Sequence, residues 1–440
     1  MNLLELTLRL KGFPIAKAKE RLKAIKKVKD EEYSLFIGEL KKSVFEYHKE
    51  NNTSYLSFLE KSNALNAKSW EEIPILTKTD LQQPLSQRFS RGFTSKNSYV
   101  NKTSGSSGHP FVFAKDKFSH ALTWANIIAT YKQHGIDYHS DLQARFYGIP
   151  LDKKGYYKER IKDVLSSRYR FPIFDLSDEK MESFLDIFRR KKFSYINGYT
   201  SSIVLFAKFL KKKNIVLTSV CPTLKHCLVT SEMLFEDDKK ILEMQLGVPV
   251  LNEYGASELD LIAFTNTNGD LQLNNETLFV EIVDEKGNNL PYGDKGRIVV
   301  TSLYNKALAM IRYDIGDVGI IDPKSTPKTT ILKQLIGRTN DITTLPSGKT
   351  VPGLTFYYVT KSVIEDDGNV KEFVVQQHAL NSFTIIYTSE VPLTQENKGI
   401  IKKALDTYLE PGLTLSFKRV DVLDRSARGK LKQFESFVEQ

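Results

Sequence analysis

Residues Ser177 to Lys213 read SDEKMESFLDIFRRKKFSYINGYTSSIVLFAKFLKKK, and this stretch decides the fold class. Ser177 can accept a hydrogen bond from the first turn of a helix whose opening residues are Asp178 and Glu179 and whose last turn carries Arg189 and Arg190. That charge order matches the helix dipole. Phe193 to Ile196 then reads as a strand, and Ser201 or Ser202 opens an apolar helix ending in Lys211 to Lys213. The same alternation continues outward, with a strand over Leu228 to Thr230, a helix over Phe235 to Leu246 closed by Gly247, and a strand over Val248 to Leu251. From Arg145 to Tyr254 the chain therefore predicts an α/β fold built on a parallel sheet.

The flanks differ from this centre. Residues up to about Leu85 read as mainly helical, with Lys17 to Lys29 as a charged, exposed helix. Leu271 to Ile321 is broken by the turn dipeptides Lys286-Gly287 and Lys295-Gly296, and reads as an antiparallel β-subdomain. After Arg338, strands are expected over Glu372–Gln377, Phe383–Thr388 and Leu413–Val420. Thr394 opens a helix that places Ile401, Leu405, Tyr408 and Leu409 on one face. The expected architecture is a large N-terminal domain of mixed sheets, helices and a β-subdomain (1–339), followed by a small α+β domain (340–440) large enough to fold alone.

The 440 residues are 41% apolar, which suits a sizeable core. The two cysteines, Cys221 and Cys227, offer no disulfide framework and point to a reducing compartment, the cytoplasm. With His226 they make three candidate metal ligands without a fourth at zinc-type spacing, so two buried thiols are the simpler reading. No apolar run is long enough to span a bilayer. The net charge of +10 is spread over short clusters; no nucleic-acid motif accompanies it, and a basic field also suits an anionic nucleotide.

Five short segments carry chemistry. Thr103-Ser104-Gly105-Ser106-Ser107-Gly108-His109-Pro110 combines hydroxyl donors with two glycines that let backbone N–H groups converge on an oxyanion. It lies between two extended segments and lacks the lysine and following helix of a Walker-type loop, which excludes a P-loop NTPase. Asn252-Glu253-Tyr254-Gly255-Ala256-Ser257-Glu258 follows a parallel strand at the edge where ligands bind in such sheets. Tyr254 there offers a flat face for a purine, and Glu258 offers hard oxygens for Mg²⁺. Arg312-Tyr313-Asp314-Ile315-Gly316-Asp317 places a carboxylate suited to ribose hydroxyls after a glycine. Gly337-Arg338-Thr339-Asn340-Asp341 sits at the proposed domain boundary, and Arg428-Gly429-Lys430 puts a lysine on a loop near the C-terminus.

In this order the segments resemble the adenylate-forming superfamily of acyl-CoA synthetases, adenylation domains and luciferases. Within it, the chain looks most like the branch of phenylacetate–CoA ligases and capsule-biosynthesis proteins. The resemblance implies that Thr103, Ser104, Gly105, Ser106, Ser107 and Gly108 hold the β- and γ-phosphates of ATP. It implies that Thr230, Ser231 and Glu232 line the adenine pocket, that Tyr254 stacks on adenine beside Gly255 and Ser257, and that Glu258 coordinates Mg²⁺. Asp317 is expected to bind the ribose, with Arg338 close by in the nucleotide site and Asn340 at the interdomain hinge. Lys430 is expected to bridge the α-phosphate and the substrate carboxylate from a mobile lid. Tyr195 to Tyr199 resembles the acyl-pocket wall, and Phe146, Tyr147, Tyr195 and Tyr199 are candidates for an aryl pocket or for plain core packing.

The expected reaction is activation of a carboxylic acid by ATP to an acyl-adenylate with loss of pyrophosphate, with CoA as the first acceptor to consider. His109 and Asn340 depart from the commoner pattern, and Leu345 to Gly353 differs from the segment lining the thiol tunnel of acyl-CoA synthetases. Two alternatives stay open. One is a ligase or adenylyltransferase with an amine or hydroxyl acceptor in surface-polysaccharide assembly; the other is a silent nucleotide- or acyl-binding module.

Overall fold

The computed structural model describes residues 3–81, 83–102, 111–149, 153–173, 176–338, 342–348, 350–352, 355–356, 359–360, 370–424 and 434–438. The chain begins with helices α1 (Leu3–Leu10), α2 (Ile15–Lys27), α3 (Asp30–Asn51) and α4 (Thr53–Lys61), and the single turn α5 (Leu85–Arg88). The sequence reading made α2 an exposed helix. Instead, Ile15, Ala18 and Leu22 form an apolar stripe packed on Ala121, Leu122 and Ala125, Ile25 is buried as well, and Lys17, Lys23 and Lys27 stay exposed. A stripe at this spacing buries one helix face however charged the rest is.

Strands β1 (Tyr99–Lys102) and β2 (Val112–Lys115) form an antiparallel hairpin, with Tyr99 opposite Lys115 and Lys102 opposite Val112. Asp116 caps the next helix, α6 (Lys117–Gln133), by accepting from the Phe118 and Ser119 N–H groups at 2.8 and 2.9 Å.

The α/β expectation is met by a seven-stranded sheet. Its parallel part comprises β3 (Gln143–Phe146), β4 (Arg168–Phe171), β5 (Tyr195–Tyr199), β6 (His226–Thr230) and β7 (Val250–Ala256). Strands β8 (Asp260–Thr265) and β9 (Leu271–Leu273) extend it antiparallel, giving the order β4-β3-β5-β6-β7-β8-β9. The connecting helices are α7 (Lys153–Leu165), α8 (Asp178–Arg190), α9 (Thr200–Lys212), α10 (Leu217–Val220) and α11 (Glu236–Leu246). Ser177 caps α8 as its sequence predicts, and Gly247 ends α11 in the left-handed region at φ 73°.

One face of this sheet is a phenylalanine core, in which Phe146, Phe171, Phe184, Phe188, Phe193 and Phe206 pack together. Each such ring contributes roughly 1.5–3 kcal/mol on burial. Phe146, offered above as an aryl-pocket candidate, belongs to this core, stacked on Phe171 at 5.0 Å.

A four-stranded sheet follows, in the order β10 (Leu278–Val283), β11 (Lys295–Ser302), β12 (Tyr313–Ile321) and β13 (Leu332–Arg338). Beyond it come a small hairpin, β14 (Ile342–Thr344) with β15 (Thr350–Pro352), and strands β16 (Val370–Ala379), β17 (Ser382–Ser389), β18 (Thr414–Arg419) and β19 (Phe434–Ser436). The latter four form one sheet in the order β18-β17-β16-β19. Helix α12 (Gln395–Tyr408) opens on a capping box between Thr394 and Asn397 and buries Ile401 and Leu405 with Phe383 and Phe356. Tyr408, expected on the same face, is the last helical residue and is about half exposed. The chain divides into two compact units, Met1–Ile315 with Gly319–Gln334, and Gly316–Val318 with Leu335–Gln440.

Candidate active site

The motif ending in Glu258 is built by a tight strand reversal. β7 runs past its expected end at Leu251 to Ala256, so Tyr254 and Gly255 are strand residues and only Ser257 to Leu259 form the turn. The turn closes with the Leu259 N–H donating to the Ala256 carbonyl at 3.1 Å. The ladder slips between Tyr254 and Gly255, and a Cβ on Gly255 would lie 2.4 Å from the Asp260 carbonyl oxygen, so this crossing requires glycine. Asp260 takes the left-handed backbone at φ 60°. The reversal buries Tyr254, exposes Gly255 and Ser257 and half-buries Glu258.

Tyr313, the first residue of β12, donates its hydroxyl to Glu258 Oε1 at 3.0 Å. Nothing local in the Arg-Tyr-Asp segment marks this tyrosine, because its partner lies 55 residues earlier in the chain. Tyr313 is held by its neighbours: Leu76 N–H donates to the Arg312 carbonyl at 3.0 Å, and Asp314 N–H donates to the Leu76 carbonyl at 2.8 Å. Its ring stacks on Phe111 with centroids 6.4 Å apart.

Phe111 follows the serine–glycine segment, and the hairpin bracketing that segment reaches Glu258 by a second route. Lys115, the buried last residue of β2, forms an ion pair with Asp260. A cavity of about 10 Å³, room for about one water, lies between Lys115, Ser119 and Glu258. No sequence signal marked either Lys115 or Asp260, because their pairing joins residues 145 positions apart.

Arg312, the residue before Tyr313, is a buried cation. It is 1% exposed, lies 3.3 Å from Glu281 as an ion pair, and donates to the carbonyls of Glu71, Ile73 and Gly287 at 2.8, 2.7 and 2.8 Å. Burial pushes the Glu281 carboxyl above its ordinary range, while Arg312 and the Trp70 indole N–H pull it back.

The other half of the site lies along the C-terminal ends of the parallel strands. Ser231 follows β6 with its backbone in the left-handed region at φ 70°. The Glu232 carboxylate accepts from the Ser201 N–H at 2.7 Å and so caps the start of α9. Glu253 on β7 accepts from the Tyr131 hydroxyl at 2.7 Å. Burial raises its carboxyl above the usual range, offset by hydrogen bonds from Tyr131 and Thr230 and by the charge of Arg145.

Tyr147 and Tyr199 meet at 4.7 Å, and the Arg145 guanidinium lies over the Tyr147 ring at 4.0 Å. Tyr195 is a packing residue, edge-on to Tyr131 and bonded to the Gln143 amide. A Cβ on Gly198 would sit 2.5 Å from the Phe146 carbonyl oxygen, so this wall segment needs glycine for its close strand approach.

Asp317 is half-buried on β12, four residues beyond Tyr313, and Arg338 closes β13. Thr103, Ser104, Gly105, Ser106, Ser107, Gly108, Asn340 and Lys430 lie outside the described residues. The cysteines are core groups: Cys227 lies between Ile196 and Val250 in the sheet, and the Cys221 thiol approaches the Lys191 and Phe193 carbonyls at 3.6 and 3.8 Å. Among the described residues no three His, Cys, Asp or Glu side chains gather as a metal site.

This arrangement is the fold of the adenylate-forming CoA ligases. It is similar to 2-hydroxyisobutyryl-CoA ligase in its postadenylation state with a bound R3-HIB-AMP, with a TM-score of 0.67 and 18% identity over 92% of this chain and 90% of that one. ATP-bound MatB from Rhodopseudomonas palustris aligns with a TM-score of 0.54 and 17% identity over 75% of this chain and 65% of that one. The anthranilate CoA ligase AuaEII in complex with anthranoyl-AMP gives 0.52 and 15%, covering 76% and 65%. In sequence, Protein CapK of Staphylococcus aureus is 24% identical over 313 residues, 68% of this chain. The match spans 66% of the length of that curated relative. No protein-family profile matches the chain. Among the described residues no helix is long and apolar enough to cross a membrane.

Proposed function

We propose that this protein is an AMP-forming acid ligase. A carboxylate oxygen of the substrate attacks the α-phosphorus of ATP, the bond from that phosphorus to the β-phosphate bridging oxygen breaks, and pyrophosphate leaves. The observation that carries this reading is the convergence on Glu258. The turn holding it is tied to β12 through Tyr313 and to the hairpin around the serine–glycine segment through Lys115 and Asp260. Three segments that the resemblance assigns to one nucleotide are thereby linked through side chains.

In this reading Tyr254, Gly255, Ser257, Ser231 and Glu232 border the adenine, Asp317 and Arg338 take the ribose side, and Thr103 to Gly108 hold the departing phosphates. Residues 1–339 carry these groups, and 340–440 form the lid that delivers Lys430. Glu258 fits Mg²⁺, being a half-buried carboxylate with one oxygen oriented by a phenol. A bound Mg²⁺ would supply charge neutralisation on the phosphates. Tyr313 keeps the carboxylate aimed, and Lys430, as the resemblance implies, would supply the cation for charge developing on the α-phosphate.

The acyl-adenylate is then open to a nucleophile. With CoA, sulfur bonds to the carbonyl carbon, the carbonyl–oxygen bond to AMP breaks, AMP leaves with the electron pair and the thiol proton goes to solvent. A second reading puts an amine or hydroxyl acceptor of surface-polysaccharide assembly in place of the thiol, and the similarity to Protein CapK fits the capsule branch of the resemblance. ATP–pyrophosphate exchange over a panel of carboxylic acids, with hydroxylamine trapping of the adenylate, tests the first step. Exchange dependent on one acid class supports it. ATP binding without exchange for any acid leaves a silent binding module instead.

A further inference from the structure

The C-terminal ends of β3, β5, β6 and β7 present a polar row on one sheet face. The registers place Arg145 opposite Asn197, Tyr199 opposite Thr230, and Thr230 opposite Glu253. Cross-strand partners share a face, and the Tyr147–Tyr199 contact agrees with that assignment. The other face of the same strands carries the phenylalanine core, which Tyr199 and Tyr147 also touch at the strand ends. A row of this polarity at the ligand-binding edge is costly to bury unless its groups find partners.

Two of its donors have none. Asn197 is 4% exposed, and its side-chain N–H₂ meets no acceptor; the Arg145 Nε–H is likewise buried without one. The neighbouring groups are already committed. Glu253 accepts from Tyr131, Arg145 donates another N–H to Gln143 Oε1 at 3.3 Å, and Arg170 on the next strand is paired with Asp163 and Glu159. A buried unpaired donor of this kind costs about 1–3 kcal/mol, and a cationic donor beside an amide calls for an oxygen acceptor.

We propose that the acid activated here carries a second oxygen function (a hydroxyl, an oxo group or a second carboxylate) that accepts hydrogen bonds from Arg145 Nε and Asn197 Nδ2. The Tyr147–Tyr199 pair flanks its carbon skeleton. This inference rests on the acid-ligase reading and deepens it. The substrate class moves from the plain aryl acids suggested by the aromatic residues to oxygenated acids, because the aromatics at Phe146 and Tyr195 are spent on packing and the row that remains is polar.

The test uses the full-length protein and matched acids in ATP–pyrophosphate exchange: butanoate against 3-hydroxybutanoate, benzoate against 3-hydroxybenzoate, and butanoate against glutarate. Sites built to hydrogen-bond a substrate group reject analogues lacking it strongly, so at least one oxygenated member should exceed its partner in kcat/KM by about 10²-fold or more. Arg145→Met and Asn197→Ser should each reduce that ratio by about tenfold or more, with Arg145→Lys restoring part of it. Plain acids matching or exceeding all their oxygenated partners would overturn the proposal while leaving the ligase reading intact. No exchange with any acid would overturn both. The wild-type panel decides the question even where a variant does not fold, and a variant that lowers both members of a pair equally assigns the row to structure and also overturns it.

Discussion

Replacing Arg312 by Met removes the cation that joins Glu281 to three backbone carbonyls while keeping most of the side-chain volume. Loss of one partner from a buried ion pair typically costs 3–5 kcal/mol, and the Glu71, Ile73 and Gly287 carbonyls each lose a donor at the same time. Simple addition would exceed that range, but Glu281 has an escape: it can bind a proton. Burial already raises its carboxyl and Arg312 holds it down, so the variant lets it rise further. A carboxyl whose folded-state value lies above its unfolded one loses stability as pH climbs from the unfolded value to the folded one. The expected loss is therefore about 3–5 kcal/mol at pH 7 and smaller at pH 5. Urea unfolding followed by tryptophan fluorescence is a suitable assay, since Trp70, one of two tryptophans, donates to Glu281 at 3.0 Å. Arg312→Met combined with Glu281→Leu should recover at least half of the loss, because the stranded charge is gone. A single-variant loss below about 1 kcal/mol, or strictly additive losses in the double variant, would refute the assignment of Arg312 as the buried partner of Glu281.

Tyr313→Phe removes only the hydroxyl on Glu258; hydrogen bonds to charged groups are worth about 1.5–3 kcal/mol, so exchange should fall about 10–100-fold with the fold intact. Unchanged exchange would detach Tyr313 from the chemistry. Lys430→Ala is expected to abolish adenylate formation while largely sparing thioester formation from supplied acyl-adenylate; equal loss of both steps contradicts the lid role. His48 is buried between the Asn305 carbonyl at 2.8 Å and the Ser90 hydroxyl at 3.2 Å, and burial lowers it to about 4. Its cation is disfavoured in the fold, so stability should be full above about pH 6.5 and decline as pH falls toward 4. His48→Gln should flatten the pH dependence of the unfolding free energy by one proton over that window, and an unaltered slope would place the acid sensitivity elsewhere.

The alternation around Ser177 to Lys213 determined the parallel sheet, because capped helices and β-rich segments are local patterns written in adjacent residues. Periodicity also located α12 through Thr394, Ile401 and Leu405. It misjudged α2, where lysines dominate the composition but four buried apolar residues decide the packing. The motif residues were legible because they are contiguous: Tyr254 to Glu258 is a single strand-and-turn unit. The groups that hold them were not. Tyr313 on Glu258, Lys115 on Asp260, Arg312 on Glu281 and Tyr131 on Glu253 join residues 55, 145, 31 and 122 positions apart along the chain.

 The shortest of these links joins Glu281 on β10 to Arg312, the residue before β12, with β11 between those two strands, and no local pattern encodes it.

The sequence by itself determined which residue types stand ready for a nucleotide and which segments become strand, turn or helix, since hydrogen bonding and side-chain periodicity act over a few neighbours. Tertiary structure alone decided which charges meet, which carboxyls burial raises, and that Arg145 and Asn197 stand side by side with donors unmet. Those outcomes depend on strand order and register, and a one-residue change of register would turn the whole polar row to the other face.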